Sequence, residues 1–212
     1  MYNKIFKNKL FPLPPSNHYD NIHIDIESVS YITTPRNTTI ISNIICSNID
    51  SNILYNDITI FDGTACVGGD TIAFGNIFGT VISVEIDKKR FDMLKNNISE
   101  YGLYNVIPLN DNCLSIIEKI NFIDVIYFDP PWGGKNYKDS DNIRLSISNK
   151  YIDEIINIIT SNNTLSKVKL IVLKLPKNYN IKQLYNLTKN DNIQILLYTL
   201  KKMQIIVYKL QY

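Results

Sequence analysis

The stretch from Ile58 to Phe78, ITIFDGTACVGGDTIAFGNIF, sets three kinds of structure in a row. A short β-branched run, ITIFD (58–62), ends on an acid; glycines at 63, 68 and 69 punctuate a loop; GDTIAFGNIF (69–78) then has the pattern of a helix. Strand, glycine loop and helix together open a sheet whose ligands sit beyond the carboxyl ends of its strands. Glycines in such a loop let backbone approach a ligand and leave amides free to bind it.

The same alternation continues outward. Upstream, PRNTTIISNIICSNI (35–49) has helical spacing with Pro35 at a first-turn position. Downstream come a strand TVISVEID (80–87), an amphipathic helix KKRFDMLKNNISEYG (88–102) closed by Gly102, and a strand NVIPL (105–109). A short helix around 113–120, the strand IDVIYFD (123–129), a helix near 149–161 and the strand KVKLIVLKLP (167–176) follow. The tail, NIQILLYTLKKMQIIVYKLQY (192–212), predicts two strands joined by a tight polar turn. The expected fold is α/β, Rossmann-like: a mostly parallel seven-stranded sheet covered on both faces and ended by an antiparallel hairpin. That architecture resembles class I methyltransferases, although alternation alone suits many doubly wound folds.

Residues 1–24 differ from the rest. They are basic, aromatic and broken by prolines, and predict an N-terminal arm on a domain spanning 25–212. A length of 212 residues suits one such domain with a full core, and a hydrophobic share of 45% with 20% charged residues is that of a globular protein. Three cysteines without a CxxC pair and two histidines are poor material for a zinc site or a disulfide framework, so no metal and a reducing compartment are expected. Neither a signal-peptide pattern nor a membrane-spanning run is present, which points to cytoplasm or nucleus. The abundance of isoleucine, asparagine, lysine and tyrosine suits an AT-rich genome, such as that of a large virus or a protist; for a virus the host cytoplasm is the expected place.

The proposed strands end in informative residues. After the first, Asp62, Thr64, Ala65, Cys66, Gly68 and Gly69 form a candidate cofactor cradle. Glu85 ends the second, where a carboxylate accepts hydrogen bonds from a ribose diol. Asn110, Asp111 and Asn112 follow the third and are placed to read an adenine amino group. Asp129 ends the fourth. Each acid alone is equally well a solvated loop residue; the ordered set points to a site. GxGxxG and GxxxxGK[ST] are both absent, and acids at 62 and 70 would repel a pyrophosphate while favouring a sulfonium or amino group. S-adenosylmethionine fits better than NAD or ATP.

YFDPPWGGKNY (127–137) ends that fourth strand with an acid, a rigid corner and the chain's only tryptophan. Acceptors from Asp129 and the carbonyl beside Pro130 would orient a base amine whose lone pair is delocalised into its ring, and Trp132 would stack on the base. The segment resembles the PPWGG motif of the trimethylguanosine synthase family, which methylates guanine N2 of the RNA 7-methylguanosine cap. IFDGTACVGGDTIAF (60–74) is similar to that family's first motif, VISVEIDKKRFDMLKNNISEYG (81–102) to its second-strand acid and helix, TTP (33–35) to its V-T-P step and LPKN (175–178) to its L-P-R-N. The resemblance covers roughly residues 25–210. It implies that Trp132 stacks on the methylated guanine, helped by the base's positive charge. It also implies that Lys177, with Lys135, Lys174 or Arg36 as lesser candidates, binds the triphosphate bridge.

Three departures stand out. Asp129 replaces the serine often found before PP, Lys177 replaces an arginine and loses its bidentate fork, and the long N-terminal extensions of some relatives are absent. In their place stands a short arm whose Phe6, Phe11, His18 and Tyr19 are candidates for a lid or a surface-tacked terminus. The expected partner is capped RNA, bound by a monomer away from membranes. Two alternatives remain open: a DNA or ribosomal RNA base amino-methyltransferase, and a catalytically silent methyltransferase-fold subunit of a capping complex.

Overall fold

The computed structural model describes residues 4–161, 165 and 167–211, without the side chains of residues 4–6, 135 and 136. Seven strands form one sheet: β1 (Thr59–Asp62), β2 (Thr80–Val84), β3 (Val106–Leu109), β4 (Val125–Phe128), β7 (Leu170–Pro176), β8 (Ile193–Thr199) and β9 (Met203–Leu210). Their order is β3-β2-β1-β4-β7-β9-β8. β1 to β4 and β7 run parallel; β9 pairs antiparallel with both β7 and β8. The chain steps outward from β1 to β3, then returns to lay β4 on the other side of β1. That reversal opens a crevice at the carboxyl ends of β1 and β4, where open α/β sheets place their ligands.

Period-two alternation sends neighbouring strand residues to opposite faces. Ile60, Val81, Val125, Tyr127 and Val172 pack under helices α3 (Pro35–Asn48), α4 (Gly69–Gly75) and α5 (Lys88–Glu100). Phe61, Ile82, Ile126, Phe128, Ile171 and Leu173 face α6 (Cys113–Ile117), α7 (Ile152–Ser161) and α8 (Ile181–Thr188). Side-chain caps start three of the helices. Asp87 accepts from the Arg90 amide, Asn112 from Leu114 and Asn180 from Gln183, each capping the helix that follows. α4 starts differently: Gly68 precedes it at φ +99°, a left-handed conformation that a side chain would strain.

The expected strands are all present, with ends within a few residues of those predicted. Helix α4 stops at Gly75, short of the expected 78, and α6 is one short turn. The sequence pattern did not signal α8, nor the small hairpin of β5 (Ser146–Ile147) and β6 (Lys150–Tyr151) before α7.

The N-terminal arm carries α1 (Lys4–Leu10) and, nearer the site, α2 (Ser28–Tyr31). It packs on the domain: Phe11 and Ile22 are each 1% exposed and belong to the core under α3 and α5. Asn97 of α5, fully buried, accepts from the His23 amide at 2.7 Å and donates to the His23 carbonyl at 2.8 Å and the Val67 carbonyl at 2.9 Å. The Tyr101 hydroxyl donates to the Pro12 carbonyl at 2.5 Å. Of the lid candidates, Phe11 is therefore core, Tyr19 packs partly buried against it, His18 is exposed with Asp20 at 3.8 Å, and the Phe6 side chain lies outside the described residues.

Candidate active site

Asp62, at the carboxyl end of β1, is 1% exposed. Its carboxylate accepts from the Thr71 hydroxyl at 2.6 Å and the Thr64 amide at 3.3 Å. Burial pushes its pKa up to about 7, with the Thr71 bond opposing and the Asp70 charge adding to the rise. Gly63 follows because a Cβ there would lie 2.3 Å from the Phe128 ring. Thr64 then reaches across to the neighbouring strand, where its hydroxyl accepts from the Asp129 amide at 2.7 Å. One hydroxyl thus links the loops after β1 and β4.

Glu85, just beyond β2, accepts from the Cys66 amide at 2.9 Å through one oxygen and from the Asp87 amide at 2.8 Å through the other. Burial raises its pKa against those two bonds. Each carboxylate oxygen keeps a lone pair for a further donor. Cys66 itself stands at φ +50°, and its thiol lies 3.4 Å from the Ser28 hydroxyl.

Three carboxylates, Asp62, Asp70 and Asp129, share one small cleft walled by Thr64, Ala65, Cys66 and Gly69 and roofed by Tyr31, Ile32 and Thr33. Asp70, in the first turn of α4, accepts from the Thr33 hydroxyl at 2.6 Å and the Tyr127 hydroxyl at 3.0 Å on one oxygen. Its other oxygen is buried and, among the described residues, has no partner. Lys174 of β7, 3% exposed, answers this charge: it donates to the Thr33 hydroxyl at 2.7 Å and is ion-paired with Asp129. Burial pushes Asp129 up to about 6, with the Lys174 charge opposing. Burial alone would lower Lys174; Asp129 and then Asp70 outweigh it and hold its pKa above the ordinary value.

Trp132 sits half-buried beside this cluster. Its ring meets the edge of Tyr137 at 5.2 Å, and the Lys174 ammonium lies 5.4 Å from its centroid. The indole N–H is buried near enough to Asp129 to lower its pKa, yet among the described residues it forms no hydrogen bond of good geometry. Asn178 steadies the loop beyond, donating to the carbonyls of Tyr137 and Ser140 at 2.5 Å each.

The structure thus gathers Asp62, Thr64, Ala65, Cys66, Gly69 and Asp129 around one cleft, with Gly68 and Glu85 behind the loop. Pro130 is buried in the turn. Asn112 caps α6 and accepts from Ser148, while Asp111 bends back onto the Asn112 amide; Asn110 ties its loop to the Glu85 and Ile86 carbonyls. Lys177 and Arg36 are exposed, and the Lys135 side chain lies outside the described residues. Lys174 is no candidate for a triphosphate bridge, because its ammonium is buried and occupied by Asp129 and Thr33. Sequence reasoning missed Thr33, Tyr127 and the true setting of Lys174. A lysine inside the apolar run LIVLKLP was the available signal, since a fully buried cation needs a partner.

A model of the RNA cap guanine-N2 methyltransferase family matches residues 58–210. The chain is 33% identical over 224 residues to the uncharacterised protein L320 of Acanthamoeba polyphaga mimivirus, covering 96% of this chain and 85% of that one. To the trimethylguanosine synthase of Schizosaccharomyces pombe it is 29% identical over 103 residues, 46% of this chain and 43% of that protein. In fold it matches SMU.1697c, a putative methyltransferase from Streptococcus mutans in complex with SAH, at a TM-score of 0.54 and 12% identity over 80% of this chain and 97% of that one.

Proposed function

Since the chain belongs to the RNA cap guanine-N2 methyltransferase family, we propose that it transfers a methyl group from S-adenosylmethionine to the exocyclic N2 of a 7-methylguanosine cap. The observation that carries this is the acceptor corner: Asp129 opens into the cleft at the sheet's reversal point, and Trp132 stands beside it. The cleft suits the cofactor, for three acidic side chains against one lysine favour a cationic sulfur, and Asp70 has, among the described residues, an unpartnered oxygen for an ammonium. Glu85 is assigned to the ribose, Asp111 and Asn112 to the adenine, and the glycine loop to the rest.

Bound S-adenosylmethionine supplies an electrophilic methyl group: the base nitrogen forms the N–C bond, the C–S pair stays on sulfur, and one amine proton must leave. Asp129 meets both needs of the amine. As a carboxylate it accepts a hydrogen bond that frees the nitrogen lone pair from the ring, and it takes the surplus proton as the new bond forms. The buried turn at Pro130 and the Thr64 bond to the Asp129 amide keep that acceptor from drifting. Trp132 stacks on the cationic base, and Lys177 and Arg36, both exposed, meet the triphosphate. The enzyme works on capped RNA as a monomer, in the nucleus or the host cytoplasm.

Transfer from labelled S-adenosylmethionine to 7-methyl-GTP, GTP and duplex DNA, run in parallel, tests the assignment. The expected outcome is transfer to 7-methyl-GTP alone, lost in Asp129→Ala and Trp132→Ala. Transfer to DNA, or to GTP equally well, would overturn the cap assignment.

A further inference from the structure

We infer that Lys174 is the positioning residue of the acceptor corner: one buried ammonium holds Asp129 ionised and oriented, lies against Trp132, and through Thr33 ties both to Asp70. This rests on the assignment of Asp129 as acceptor of the amine proton. Three contacts of Lys174 carry the inference. Its ammonium is ion-paired with Asp129, donates to the Thr33 hydroxyl at 2.7 Å, and lies 5.4 Å from the Trp132 ring centre. Thr33 passes the link on, donating to Asp70 at 2.6 Å.

The arrangement answers a problem that Asp129 creates. A carboxylate buried beside two others tends to take up a proton, and a protonated acid cannot receive one from an amine. Among the described residues, the titratable groups facing Asp129 are Lys174 from β7, Asp70 from α4, Asp62 from the end of β1 and Tyr127 from β4. Only Lys174 among them is positive. Burial and Asp70 push Asp129 upward while Lys174 opposes, leaving it at about 6, ionised at neutral pH. Thr33 belongs to the segment that roofs the cleft, so the same ammonium joins the roof to the acceptor.

Trp132 is the only tryptophan in the chain, so its fluorescence reads this corner without cofactor or acceptor present. In the unmodified protein the emission should change with a midpoint of about 6, and Asp129→Asn should abolish that transition. Lys174→Gln keeps a donor and removes the charge. It should raise the midpoint by about one unit or more. It should also cut transfer at pH 7 by roughly 10–100-fold through kcat, with the KM for S-adenosylmethionine nearly unchanged. Thr33→Val leaves both charges in place, so the midpoint should stay while transfer falls by a smaller factor. An unmoved midpoint in folded Lys174→Gln, or an equal shift in Thr33→Val, would overturn the inference. Should Lys174→Gln not fold, Thr33→Val decides by itself, since undiminished transfer would remove the link. A wild-type enzyme that methylates another base amine but shows these titrations would sink only the cap assignment.

Discussion

Asp62 shows what a buried acid does to the stability of this site. Its pKa is held up to about 7 in the folded chain, against an ordinary value of about 4 in the unfolded one. The folded protein therefore keeps a proton that the unfolded chain has released. The stability contributed by that proton is complete below about pH 4 and lost as pH rises through about 7. Asp129 and Glu85, also raised, push in the same direction. Asp62→Asn removes the charge but preserves an acceptor for Thr71. It should raise the melting temperature by roughly 3–6 °C at pH 8 and by little at pH 5, as differential scanning fluorimetry would show. An equal gain at both pH values would mean that Asp62 does not carry this proton. The strand-end acids were legible because residue type and position suffice to mark them. Lys174 and Thr33 were not, because their meaning lies in contacts across 141 positions of sequence, which no local pattern records.

At the scale of elements, the strand and helix order could be read from periodicity, since buried parallel strands and amphipathic helices differ strongly in pattern. The missed elements are short. α8 has eight residues, and the β5–β6 hairpin turns through Ser148 and Asn149, both at positive φ, without the glycine that usually advertises such a turn. The arm was legible in composition but not in attachment. Phe11 fills a core built by distant helices, and Asn97 holds residue 23 by both its backbone groups, as a strand neighbour would. Phe11→Ala should therefore destabilise the protein by about 3–5 kcal/mol, measured by urea unfolding. Asn97→Ala would leave the His23 and Val67 groups without their partner and cost about 3 kcal/mol. Limited proteolysis of that variant should cut first within the arm. If Phe11→Ala unfolds at the same urea concentration as wild type, the arm is a separable attachment and not part of the core.

The whole molecule carries 22 basic and 20 acidic residues, a net charge of +2. No helix among the described residues is long and apolar enough to cross a membrane. If the substrate is capped RNA, as proposed, a nearly neutral net charge has consequences for how it is held. A protein that tracks a nucleic-acid backbone neutralises many phosphates and loses affinity steeply as salt rises. Here the candidate phosphate ligands are few: Lys177 and Arg36, with Lys135 in the same loop region as Trp132. With two or three contacts, log affinity against log salt should fall with a slope of about −2, so that a change from 50 to 200 mM salt costs about tenfold. Lys177→Ala should flatten the slope by about 0.7 and weaken capped RNA and free 7-methyl-GTP by the same factor. Trp132→Ala should behave oppositely, weakening both ligands while leaving the slope in place, because stacking releases no counterions. A slope steeper than about −4 for capped RNA would mean that an extended phosphate track contributes. Recognition would then lie beyond the cap, on a surface that the balanced charge of this chain gives no reason to expect.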